Sequence, residues 1–298
     1  NMHGGFGENS TMADFAFLSS IAYQINPQSA LDSWFGPAGI EAVDMYQYVE
    51  DFRTQANASD VAVYFKLFSF PQIDFGMIVI RGTSNNWDML ADVQLWSAAA
   101  LMQGLRAALP AGGIWTPIFA QLVNWINKLQ SESLEKISFY KLTTQFANYV
   151  KADSGNFSSV QITGHSLGGG LSIISGAQAG IPAVGLSGPN ALISGRSFDP
   201  PVTKEQLNQY TFNIIPRRDI VPMLDDKADQ FQYIRCEAEP WDFVGCHFSK
   251  RSLCEILYTC GTGNRPAICE CYVDYGYPKP LTDGDEDFDT LCGVTSDE

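Results

Sequence analysis

The sequence has little positive charge for its length. Its 298 residues include 18 Lys and Arg against 33 Asp and Glu, which gives a formal net charge of −15. Nucleic acids and anionic membrane surfaces attract clustered Lys and Arg, so we expect neither as a partner. The sequence also lacks the roughly 18 consecutive apolar residues of a transmembrane helix, so we expect no membrane span.

Cysteine is absent before Cys236 and then occurs seven times. The spacing of Cys269 and Cys271 differs from the Cys-x2-Cys pattern of a zinc knuckle, so we expect disulfides rather than a metal site. Disulfides form in oxidising compartments, which favours a secreted, extracellular protein. An odd count leaves one thiol unpaired, for which we expect Cys292, and the sequence leaves the connectivity open.

Two further features agree with secretion. Sequons beginning at Asn9, Asn57 and Asn156 are typical of a secreted glycoprotein. No signal peptide is recognisable, and together with the cysteines this favours a mature secreted chain.

The segment around Ser166 carries the most functional information. An apolar run ends in Gly164-His165-Ser166-Leu167-Gly168, and small and aliphatic residues typical of a buried helix follow. Gly-x-Ser-x-Gly between a strand and a helix is the pattern of a nucleophile elbow, which presents a serine hydroxyl above a parallel sheet. An ordinary glycine-rich turn is the alternative, and the flanking strand and helix favour a nucleophilic Ser166.

The scarcity of histidine narrows the choice of a general base. A serine nucleophile needs a histidine to accept its proton and a carboxylate to orient that histidine. Of the three histidines, His3 lies in a glycine-rich terminus, and we expect the turn to hold the side chain of His165 away from Ser166. We therefore expect His247 to be the base, although a lone histidine is more often an ordinary structural residue.

The acid is expected between Ser166 and His247, because folds with this elbow order their triad as Ser, acid, His. Asp219 follows a buried apolar strand, and functional side chains of parallel sheets gather at the carboxyl ends of strands. Asp225 and Asp226 are the rivals, and we interpret both as solvated loop carboxylates. The pattern favours Asp219.

Four stretches in this order resemble the class 3 (fungal-type) lipases of the α/β-hydrolase superfamily. They are Ile80-Arg81-Gly82-Thr83, the elbow, Asp219-Ile220-Val221-Pro222 and the late His247, and the resemblance spans about residues 60 to 250. It implies that the backbone amides of Thr83 and Leu167 form an oxyanion hole. It agrees with Ser166, Asp219 and His247 as the catalytic residues.

The resemblance also implies a lid over residues 84–114. This segment is apolar at helical spacing, and we expect Trp87, Leu90, Val93 and Trp96 to contact substrate. Ordinary helices packed on the sheet are the alternative. The length of this segment and the cysteine-rich C-terminal region depart from the family pattern.

Alternating strands and helices predict an α/β fold with a mainly parallel central sheet flanked by helices. The resemblance implies an α/β-hydrolase fold with a helical lid insertion and a disulfide-rich C-terminal region. We expect a single domain over residues 1–298, with an acidic, flexible tail at 281–298, and a monomer.

These observations predict a secreted serine hydrolase of lipid carboxylic esters. A triacylglycerol lipase acting at an oil–water interface is the expected activity, with an acylglycerol substrate and neither cofactor nor metal. Phospholipase A1 and feruloyl or other carbohydrate esterases, which share the fold, are alternatives. A non-catalytic lipid-binding relative is less favoured, because such relatives usually lose a triad member and all three candidates are present here.

Overall fold

A seven-stranded sheet with helices on both faces forms the centre of the fold. The computed structural model describes residues 11–58, 63–82, 139–239, 242, 245–261, 265–278 and 292. The expected lid at 84–114, including Trp87, Leu90, Val93 and Trp96, lies outside the described residues. The oxyanion candidate Thr83 and, apart from Cys292, the acidic tail also lie outside them.

The strands follow one another across the sheet in chain order. Strands β1 and β2 are antiparallel neighbours, as are β2 and β3, whereas β3 to β7 run parallel. The strands are β1 Val43–Asp44, β2 Phe65–Phe70, β3 Phe75–Ile80, β4 Ser159–His165, β5 Ala183–Leu186, β6 Thr211–Pro216 and β7 Phe231–Ile234. The prediction of a mainly parallel sheet is therefore confirmed.

Helices cover the sheet on both sides. They are α1 Met12–Ile21, α2 Gln28–Phe35, α3 Tyr46–Gln55, α4 Phe139–Ala152, α5 Leu167–Ala179, α6 Lys204–Tyr210, α7 Ser249–Cys260 and α8 Cys269–Val273. Within the described part of the chain, none of the helices has the length and hydropathy to cross a membrane.

Strand β3 shows why the central strands read as continuous apolar runs. All six of its residues are buried, because successive side chains point to opposite faces and both faces are covered. Ile78 and Ile80 pack in a cluster with helices α3, α4 and α5. Met77 and Val79 pack on the other face with α1, α2 and α7.

A buried ion pair joins the two ends of the described chain. The Arg265 Nε donates to Asp14 Oδ1 at 2.7 Å, and the indole nitrogen of Trp34 donates to the same oxygen at 2.8 Å. Asp14 is fully buried and Arg265 nearly so. The segment after helix α7 is thereby fixed against helix α1.

Three disulfides cross-link the C-terminal region, which confirms the prediction of disulfide bonds there. They join Cys236 to Cys246, Cys254 to Cys271 and Cys269 to Cys292. The expectation that Cys292 is unpaired is wrong, since its Cα lies 5.4 Å from that of Cys269, within the reach of a disulfide. The free thiol is Cys260, which is exposed at the end of helix α7.

The disulfide pattern predicts the result of peptide mapping. Under non-reducing conditions, digestion should recover the three cross-linked pairs, and thiol titration of the native chain should find one reactive thiol. Cys260→Ser should remove that thiol and leave the three pairs unchanged. A reactive thiol that persists in Cys260→Ser, or Cys292 recovered as the free cysteine, would contradict this pattern.

Candidate active site

Ser166 occupies a strained turn between strand β4 and helix α5. Its backbone angles are φ 61° and ψ −131°, a region that residues other than glycine rarely adopt. The turn is held by backbone hydrogen bonds on both sides. The Ser166 amide donates to the Leu186 carbonyl at 3.0 Å, and the Ser166 carbonyl accepts from the Gly170 amide at 3.1 Å.

Two glycines allow this turn to lie directly against strand β3. A Cβ on Gly168 would lie 2.1 Å from the carbonyl oxygen of Ile80, and one on Gly164 would lie 2.5 Å from the same oxygen. Both contacts are with backbone, so the neighbour cannot rotate away. The Gly-x-Ser-x-Gly spacing is thus a packing requirement of this turn.

The structure brings Ser166, His247 and Asp219 together. The Nε2 atom of His247 lies 2.8 Å from the Ser166 Oγ. The Nδ1 atom of the same ring lies 2.9 Å and 3.1 Å from the two carboxylate oxygens of Asp219. An ionised carboxylate can accept hydrogen bonds but cannot donate them, so Nδ1 carries the ring proton. Nε2 is then free to accept a hydrogen bond from the serine hydroxyl.

Asp219 lies in the loop after strand β6, at the carboxyl edge of the sheet. It is fully buried, and its Oδ1 also accepts from the Val221 amide at 3.0 Å. The amide therefore fixes the orientation of the carboxylate, which in turn orients the imidazole.

Asp225 differs from the expectation of a solvated loop carboxylate. It is buried and accepts from the Ile193 amide at 2.7 Å, the Ser194 amide at 2.9 Å and the Ser194 hydroxyl at 2.6 Å. Burial raises its pKa to about 7 against the opposing effect of these donors. The interpretation was wrong because a sequence cannot show that the 193–194 segment supplies amide donors.

A shared segment fixes the loops that carry Asp219 and His247. The guanidinium of Arg218 donates to the carbonyls of Cys236 and Ala238, both at 2.7 Å. Cys236 is also bonded to Cys246, which precedes His247. The acid and the base are therefore tied to the segment just after strand β7 through residues adjacent to them.

The buried His165 and the partly buried Tyr23 form a hydrogen-bonded pair beside this site. His165 Nε2 lies 2.6 Å from the carbonyl oxygen of His247, and Nδ1 lies 3.1 Å from the Tyr23 hydroxyl. Burial and, second, the neighbouring His247 lower the pKa of His165 to about 3. The expectation that its side chain does not face Ser166 agrees with these contacts, whereas nothing in the sequence pointed to Tyr23.

The two oxyanion candidates differ in what the structure describes. Leu167 is the first residue of helix α5, where backbone N–H groups have no carbonyl acceptor within the helix. Thr83 is outside the described residues, but Gly82 before it packs closely on the elbow. A Cβ on Gly82 would lie 3.0 Å from the Ser166 Cβ and 2.5 Å from the His165 carbonyl oxygen.

Exposed apolar side chains flank the acid and the base. Ile220 and Met223, in the loop of Asp219, are 54% and 57% exposed, and Phe248, next to His247, is 48% exposed. Among the residues that the structure describes, no cluster of His, Cys, Asp and Glu could hold a metal ion. The surroundings of the site are thus suited to an apolar ligand.

Residues 77–181 match the family model described as lipase (class 3). The resemblance to the class 3 lipases is confirmed. The matched segment begins within strand β3, includes Gly82 and the Ser166 turn, and ends before Asp219 and His247. This class 3 lipase match supports lipase-type hydrolysis of carboxylic esters.

Several solved structures are similar to this chain. The Lip2 lipase of Yarrowia lipolytica is 16% identical with a TM-score of 0.41, over 78% of this chain and 80% of that one. The Rhizomucor miehei lipase–propeptide complex is 15% identical with a TM-score of 0.39, over 85% and 82%. A triacylglycerol lipase of Penicillium expansum is 15% identical with a TM-score of 0.35, over 84% and 85%. Among curated proteins, none matches this chain significantly.

The depressed pKa of His165 predicts acid sensitivity. Its pKa is about 3 in the folded chain and about 6.5 when unfolded, so between these values the unfolded chain binds a proton that the folded chain does not. The stabilisation is therefore complete above pH 6.5 and is lost as the pH falls towards 3. Asn does not titrate in this range. Between pH 6.5 and 4.5, the unfolding free energy of His165→Asn should therefore fall by about 2 kcal/mol less than that of the wild type.

Denaturant unfolding at pH 6.5, 5.5 and 4.5 measures this difference. His3→Asn is the matched control for removing a histidine, and its pH dependence should follow the wild type. If His165→Asn and the wild type lose stability in parallel, His165 is not the neutral, acid-sensitive group described here.

Proposed function

We propose that this protein is a serine hydrolase in which Ser166, His247 and Asp219 form the catalytic triad. The observation that carries the proposal is the 2.8 Å contact between the His247 Nε2 and the Ser166 Oγ, with Asp219 hydrogen-bonded to the other ring nitrogen. Acyl transfer through a serine requires a nucleophile, a base and an orienting acid in this arrangement.

In the acylation step, the Ser166 Oγ attacks the ester carbonyl carbon while His247 Nε2 accepts the hydroxyl proton. The carbon–alkoxide bond then breaks, and the imidazolium gives its proton to the departing alcohol. Water attacks the resulting acyl-serine, again with His247 as base, and the fatty acid leaves as Ser166 recovers its proton. Asp219 keeps the proton on Nδ1 and stabilises the imidazolium that forms in each step.

The developing oxyanion is bound by backbone amides in this proposal. The Leu167 amide at the start of helix α5 is one donor, and the Thr83 amide is the other. Each such donor contributes on the order of 3 kcal/mol to the stability of the transition state. The close packing of Gly82 on Ser166 supports a role for the residue that follows it.

We propose a triacylglycerol as the substrate, cleaved at an oil–water interface. The family match supports lipid esters, and Ile220, Met223 and Phe248 offer exposed apolar side chains beside the triad. An apolar rim of this kind favours acyl chains over sugar esters. The disulfides support secretion, because such bonds persist in oxidising compartments.

Substitution of the triad tests the proposed chemistry. Ser166→Ala should lower kcat on p-nitrophenyl butyrate by about a million-fold, since the nucleophile is removed. Asp219→Asn and His247→Ala should each be severely impaired, and the double variant should be little worse than His247→Ala because the residues act as one unit. Circular dichroism checks folding. A folded Ser166→Ala variant with full activity would contradict the proposal.

A substrate panel tests the proposed specificity. Initial rates should be compared on emulsified tributyrin and triolein, phosphatidylcholine vesicles, methyl ferulate and p-nitrophenyl esters from acetyl to palmitoyl. We expect the triacylglycerols to be cleaved fastest per enzyme, with Ser166→Ala as the blank. Faster cleavage of phosphatidylcholine would instead indicate a phospholipase, and faster cleavage of methyl ferulate would indicate a carbohydrate-ester hydrolase.

A further inference from the structure

The hydrogen bonds of His165 have only one possible direction. The His247 carbonyl oxygen, 2.6 Å from Nε2, can only accept, so Nε2 carries the proton. The ring is buried and neutral, because burial lowers the pKa of His165 to about 3. Its Nδ1 must therefore accept, and the Tyr23 hydroxyl at 3.1 Å is the donor.

The Tyr23 hydroxyl extends this series of hydrogen bonds to Gly82, the residue before Thr83. The backbone amide of Gly82 donates a hydrogen bond to the Tyr23 oxygen. Burial raises the pKa of Tyr23 to about 12, so the hydroxyl keeps its proton at neutral pH and donates it to His165. The approach is close, since a Cβ on Gly82 would lie 2.6 Å from the hydroxyl oxygen.

These hydrogen bonds form one directed series across the site. The amide of Gly82 donates to Tyr23, Tyr23 donates to His165, and His165 donates to the backbone of His247. The series thus runs from the residue before the oxyanion candidate Thr83 to the main chain of the base. His165 also precedes Ser166 directly in the sequence. One buried residue therefore connects the nucleophile, the main chain of the base and, through Tyr23, the backbone of Gly82.

We propose that Tyr23 and His165 are positioning residues that hold the backbones of Gly82 and His247 at fixed places relative to Ser166. The inference rests on the proposed function and deepens it. Neither side chain touches the reacting atoms. Losing the series displaces the oxyanion donor and the base in the transition state, while leaving the surface that binds the acyl chain in place.

The test compares two tyrosines whose rings contact the same arginine. The guanidinium of Arg81 lies over the rings of both Tyr23 and Tyr64, each at 5.4 Å, but Tyr64 is 58% exposed. Tyr23→Phe removes only the hydroxyl that links Gly82 to His165. Tyr64→Phe removes a hydroxyl from a ring with the same cation contact and serves as the matched control.

Kinetics are measured on the full chain with p-nitrophenyl butyrate, and kcat is expressed per active site titrated with a p-nitrophenyl phosphonate. Tyr23→Phe should lower kcat per titrated site by about tenfold or more, with KM within about twofold and little change in Tm, because an interaction that matters in the transition state is lost. Tyr64→Phe should match the wild type. His165→Asn, whose side-chain oxygen can replace Nδ1 as the acceptor, should keep more activity than His165→Leu.

The outcomes separate positioning from mere stability. If Tyr23→Phe keeps wild-type kcat per titrated site, or if its loss is confined to Tm and to the fraction of titratable sites, the inference is overturned. Equal activities of His165→Asn and His165→Leu would also contradict it. A wild-type chain that neither hydrolyses the ester nor reacts with the phosphonate overturns the proposed function, and this inference with it.

Discussion

The first turn of helix α5 packs on the backbone of strand β3, and the geometry of the serine turn depends on that contact. Gly164 and Gly168 both face the Ile80 carbonyl oxygen at distances that admit no side chain. The contact fixes where β4 must turn into α5, which forces Ser166 to a positive φ. The resulting strain persists because buried packing on both sides leaves the chain no alternative path.

The base and the acid are positioned by a different device. Neither residue lies in a strand or an α-helix, since Asp219 follows strand β6 and His247 ends a single 3₁₀ turn. Loops of this kind need external restraint, and Arg218 and the Cys236–Cys246 bond supply it through one shared segment. The elbow is thus held by packing, and its partners are held by a hydrogen-bonded and covalent frame.

The sequence predicts those parts of this site that depend on scarce residue types or on local sterics. The glycine spacing around Ser166 indicates its turn, and three histidines leave few choices for a partner, so the grouping of Ser166, Asp219 and His247 is recoverable. Contacts between segments distant in the chain give no such signal. Three contacts form only when the fold brings separate elements together. They are the hydrogen bond between Tyr23 and His165, the amide hydrogen bonds to Asp225 and the disulfide of Cys292.

The buried pair between Asp14 and Arg265 bears on the order in which the chain folds during synthesis. Asp14 and its cation Arg265 are 251 residues apart, and a buried carboxylate that lacks its cation costs about 3–5 kcal/mol. Helix α1 therefore gains all of its contacts only after Arg265 has been synthesised. A nascent chain that ends before helix α7 lacks both Arg265 and one of the helices that cover this face of the sheet, so it exposes apolar surface.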